Sequence, residues 1–75
     1  MKVLFFGELA EIVGKSSQEF NGFLDSDSLK TKLLSEFPKF STIPFQIAVN
    51  QNLITENVAL SDSDEIAFLP PFAGG

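Results

Sequence analysis

Asp64-Glu65-Ile66-Ala67-Phe68-Leu69-Pro70-Pro71 is the stretch on which the fold turns. Ile66 to Leu69 is apolar at every position, as a strand flanked by neighbours and covered on its faces is, and the paired prolines forbid it to continue. The polar turn Ser61-Asp62-Ser63-Asp64 precedes it. Such a strand pairs best with one of its own character. Val3-Leu4-Phe5-Phe6, closed by Gly7, is that partner, and the two are expected side by side and parallel in the centre of a sheet.

Working outward, Gly7 and Gly14 bracket a short helix in which Leu9, Ile12 and Val13 share one face. Ser17 to Phe23 reads as a second strand, antiparallel to the first, with Phe20 supplying most of its apolar weight. Ser26 is the predicted N-cap of the main helix. Asp27 suits its first turn, Leu29, Leu33 and Phe37 repeat at helical spacing, and Pro38 ends it. Phe45 to Asn50 is a strand, and the turn Asn50-Gln51-Asn52 returns the chain through Leu53-Ile54 as a hairpin. Strands at both ends and one main helix between them give an α+β fold of two layers, a mixed sheet with that helix across one face, which the β-grasp layout satisfies.

The 75 residues provide one small domain, residues 1–75, with 70–75 expected as an extended tail. Cysteine, histidine, arginine, tryptophan and tyrosine are absent. Disulfides, zinc clusters, Cys/His nucleophiles and imidazole chemistry are therefore unavailable to the chain. A net charge of −5 without any lysine cluster disfavours nucleic acid and favours a basic partner. Only Val3 to Phe6 lies between Lys2 and the first glycine, too little for a signal-peptide core, and no apolar run approaches the roughly 20 residues of a membrane span. A soluble cytoplasmic protein is expected.

One helix covers one face of a sheet. Side chains of the other parity, Leu4 and Phe6 or Ala67 and Leu69, face outward unless the small helix or a loop buries them, and parity alone leaves that open. An uncovered apolar patch marks a partner site. Asp62, Asp64 and Glu65 lack the ligand count and central glycine of a calcium loop, so they read as a solvated turn and no metal is assigned. The serines have no base to activate them.

Beyond Leu69 the sequence runs Pro70-Pro71-Phe72-Ala73-Gly74-Gly75, with Gly75 expected to carry the free terminal carboxylate. The prolines stiffen the exit, and the last residues offer almost no side chain, a shape that suits insertion into a narrow tunnel of another protein. A carboxylate reacts only after its oxygen becomes a leaving group, which ATP achieves through an acyl-adenylate. Sulfide then yields a thiocarboxylate, whose sulfur is the better nucleophile at neutral pH. A carrier of this kind needs no cysteine.

Val3-Leu4-Phe5-Phe6 with Glu11-Ile12-Val13-Gly14, Ala48-Val49-Asn50-Gln51, and Asp64 through Pro71 into Phe72-Ala73-Gly74-Gly75 together resemble the small-subunit family of molybdopterin synthase, the sulfur carriers of molybdenum cofactor biosynthesis. The resemblance runs end to end and implies a ubiquitin-like β-grasp fold. It implies that Gly75 is adenylated and then thiocarboxylated, with Gly74 keeping the thread narrow, and that the sulfur attacks cyclic pyranopterin monophosphate inside a large catalytic subunit. Two deliveries build the dithiolene of molybdopterin, in a heterotetramer of two small and two large subunits. The small subunit is then a non-catalytic sulfur donor within a transferase. It binds no cofactor itself, and ATP is used by a separate activating enzyme. Phe6, Leu53 and Leu69 stand where the family meets the large subunit, and Pro70, Pro71, Phe72 and Ala73 belong to the inserted tail. The resemblance also shows departures: Ala10 for a basic residue, Ser63 for a glycine, and Phe72 for a valine. Thiamine sulfur carriers share the fold and the terminal glycines, and a protein modifier joined through Gly75, or a non-covalent adaptor, stands as a further alternative.

Overall fold

A computed structural model describes residues 1–71. Its elements are β1 (Lys2–Phe5), α1 (Glu8–Val13), β2 (Ser17–Glu19), α2 (Ser26–Glu36), a 3-10 helix (Pro38–Thr42), β3 (Gln46–Val49), β4 (Asn52–Ile54) and β5 (Glu65–Leu69). The strands form one mixed sheet in the order β2-β1-β5-β3-β4, with β1 and β5 parallel at its centre. The remaining strand pairs are antiparallel.

Register assigns the faces. Val3 pairs with Ile66 and Phe5 with Phe68, and all four are buried on the helix side. Leu29 and Leu33 of α2, Leu9 of α1 and Phe40 of the 3-10 helix close over them. Phenylalanine rings meet at the middle of this core: Phe40 lies 6.3 Å from Phe5, 6.2 Å from Phe68 and 5.8 Å from Phe45, ring centre to ring centre. These spacings are those at which aromatic rings attract beyond their area of burial.

Three expectations are refined. The N-cap of α2 is Asp25, not Ser26: extended at φ −151°, it accepts the Ser28 N–H at 2.9 Å. Ser26 is drawn inward instead, donating to Asn57 Oδ1 at 3.1 Å and accepting the Val58 N–H at 2.9 Å. Pro38 ends α2 but also begins the 3-10 helix, since a residue without an N–H is well tolerated in a first turn. β2 spans Ser17–Glu19 rather than reaching Phe23, because β1 supplies no further pairing once the Phe20 N–H has met the Met1 carbonyl at 2.9 Å.

Candidate functional site

The sheet face opposite α2 is uncovered among the described residues. Along the paired strands the row Leu53, Ala48, Ala67, Leu4 lies on it, each residue opposite the next. Large side chains at the ends and methyl groups in the middle make a shallow apolar depression of about 370 Å³, completed by Phe6, Leu69, Gln51 and Glu65. Phe6 is 44% exposed and Leu53 56%. Of the residues predicted for partner contact, Phe6, Leu53 and Leu69 thus share one surface, and neither α1 nor a described loop buries them. Leu24, although 80% exposed, is not part of that surface.

The same strand supplies the base of the tail. Leu69 ends β5 on the open face, and Pro70 packs against Gly7, where the chain turns from β1 into α1. Gly7 sits at φ +59°, and a Cβ there would come within 3.1 Å of the Pro70 ring. The close approach needs glycine's missing side chain. Pro71 is exposed. Phe72, Ala73, Gly74 and Gly75 lie outside the described residues.

Ala48, Gln51 and Glu65 line the depression but are not among the residues predicted for partner contact. Ala48 is a near-silent residue in a sequence, and its place became visible only through its register with Leu53 and Ala67. Glu65 is the charged residue in the lining, and by strand register Lys2 stands opposite it. Asp64, read as part of a polar turn, is held in one: it accepts the Asn50 side-chain amide at 3.0 Å and the Ser61 N–H at 2.8 Å. These contacts, the Asn50 amide foremost, hold its carboxyl below the usual carboxylate value. Among the described residues no three carboxylates gather as a metal site would require.

A mixed five-stranded sheet of this order, one long helix across one face and an exposed apolar surface on the other define a ubiquitin-like β-grasp protein. The chain belongs to the ThiS family, whose model matches residues 3–75. It is 32% identical to the molybdopterin synthase sulfur carrier subunit of Escherichia coli (strain K12), over all of this chain and 99% of that one. The protein of the same name from Caenorhabditis briggsae is 36% identical over all of this chain and 96% of its own. Among solved structures, small archaeal modifier protein 1 from Methanosarcina acetivorans superimposes with a TM-score of 0.82 at 26% identity, covering 99% of this chain and 94% of that one.

Proposed function

We propose that the chain is the sulfur carrier subunit of a molybdopterin synthase. The observation that carries this reading is its end-to-end similarity to relatives of that name, in a fold whose open apolar face runs along β5 directly into the tail. The Gly75 carboxylate attacks the α-phosphate of ATP on an activating enzyme, expelling pyrophosphate and forming an acyl-adenylate. A sulfide equivalent then displaces AMP, leaving a thiocarboxylate. Its sulfur attacks a carbon of cyclic pyranopterin monophosphate in the large subunit and displaces the oxygen held there. Hydrolysis then cleaves the acyl C–S bond of the resulting thioester, leaving the sulfur on the substrate and returning the Gly75 carboxylate, so the chain gives up sulfur without any change of oxidation state at its own carbon.

In this scheme Phe6, Leu53 and Leu69 dock the large subunit, Pro70 and Pro71 set the exit of the thread, and Phe72, Ala73 and Gly74 occupy the tunnel. ATP acts only in the activating enzyme, and the chain itself holds no cofactor. Among the described residues no helix is long and apolar enough to cross a membrane. The scheme places the chain in the cytoplasm together with its activating enzyme and large subunit. Conversion of cyclic pyranopterin monophosphate to molybdopterin by the thiocarboxylated chain and its large subunit tests the reading. Thiazole formation in place of that product would assign it to thiamine synthesis.

The likeness to a small archaeal modifier protein favours a second use of the same terminus, amide-bond formation between Gly75 and target lysines. Peptide mapping for Gly75 joined to a lysine side chain tests it.

A further inference from the structure

The turn between β3 and β4 is two residues long, and both occupy the left-handed region, Asn50 at φ 50° and Gln51 at φ 70°. Asparagine tolerates that conformation and glutamine does not favour it. β4 is an edge strand of three residues, paired to β3. Left to itself, so short a hairpin would loosen. The Asn50 side chain bridges the peptide that opens β5: its Oδ1 accepts the Glu65 N–H at 3.0 Å, and its Nδ2 donates to the Asp64 carboxylate at 3.0 Å. The Asn50 backbone N–H adds a bond to the Glu65 carbonyl at 2.7 Å. The second Asp64 oxygen accepts the Ser61 N–H at 2.8 Å, and the Asp64 carbonyl accepts the Lys2 N–H at 3.2 Å. The amide can face only one way, because the N–H needs an oxygen and the carboxylate needs a donor. Immediately beyond this point Gln51 and Leu53 form the rim of the open face.

We propose that Asn50 and Asp64 are positioning residues for partner docking: their side-chain clamp fastens the β3–β4 turn to the start of β5 and so fixes Gln51 and Leu53 at the rim of the apolar face. The proposal rests on the reading of that face as the large-subunit contact. Binding to a preset rim avoids the cost of ordering it at the moment of association.

Asn50→Gly is the discriminating variant, since glycine accepts the turn's backbone angles while removing the clamp. In the full-length chain, amide order parameters at Gln51 and Leu53 are expected to fall from about 0.85 to below about 0.6. Calorimetric titration with the large subunit should give a dissociation constant about tenfold weaker. Asp64→Asn, which retains one acceptor, should bind better than Asp64→Ala. Unchanged order at Gln51 and Leu53, unchanged affinity of Asn50→Gly, or equal losses in the two Asp64 variants would each overturn the clamp's role. Leu53→Asp, run alongside, separates the two readings. If it loses affinity while Asn50→Gly keeps it, the positioning role alone falls; if both keep it, the docking face falls as well.

Discussion

Ala48 and Ala67 face one another across the antiparallel β3–β5 pair, and their methyl groups form the floor of the open apolar face. Larger residues at both ends of that row, Leu53 and Leu4, give it a concave profile, and the proposed docking of the large subunit would seat an apolar projection there. Ala67→Phe should fill the depression from the solvent side, leaving the helix-side core intact. The expected result is a melting temperature within a few degrees of the parent and an affinity for the large subunit at least about tenfold lower. Calorimetric titration against the unmodified chain measures it.

Leu53 offers a test by charge rather than shape. It is more than half exposed in the free chain, so Leu53→Asp should cost little folding stability. Buried against a partner, the carboxylate would lose its water without gaining a counterion, and docking should weaken by roughly 2 to 4 kcal/mol. A large drop in the melting temperature of the isolated variant would instead make Leu53 a core residue.

The opposite face predicts the opposite pattern. Phe40 is fully buried, with the rings of Phe5, Phe37, Phe45 and Phe68 around it. Phe40→Ala removes the ring that joins the 3-10 helix to the sheet and should cost about 3 to 5 kcal/mol in a urea unfolding experiment. A cost below about 1 kcal/mol would contradict the packing described.

These two faces also explain what the sequence disclosed and what it withheld. The apolar run in β5, the glycines around α1 and the spacing of Leu29 and Leu33 are local signals, and each led to its element. Parity within β1 and β5 already divided Val3, Phe5, Ile66 and Phe68 from Leu4, Phe6, Ala67 and Leu69. Phe40 was hidden because a five-residue 3-10 helix has no periodicity long enough to read. The exchange of Ser26 for Asp25 as cap was hidden for another reason. Both residues cap well, and the choice is made by Asn57, thirty-one residues beyond Ser26, whose Oδ1 takes the Ser26 hydroxyl and the Asp27 N–H. Likewise, Ala48 joins the site through strand register, a property of the sheet and not of any single segment.

Asp25 and Asp64 predict how the fold meets acid. The carboxyl of Asp25 is held below the usual value by the Ser28 hydroxyl, the Ser28 N–H and the Asn57 amide, and that of Asp64 by the Asn50 amide and the Ser61 N–H. With both pKa values depressed on folding, the unfolded chain binds more protons as acidity rises. Their stabilisation is complete above the ordinary value of 3.8 and is lost as the pH falls through and below it. Thermal melts between neutral pH and strong acid should therefore fall more steeply below 3.8 for the parent than for the Asp25→Asn, Asp64→Asn double variant. Parallel curves would contradict the assigned hydrogen bonds.

Intact mass spectrometry of the chain, incubated with its activating enzyme, ATP and a sulfur donor, addresses the chemistry at Gly75 itself. Exchange of one oxygen for sulfur should raise the mass by about 16 Da, with fragmentation locating the gain at Gly75. A mass that stays at the value of the unmodified carboxylate, with the activating enzyme demonstrably turning over ATP, would contradict sulfur carriage.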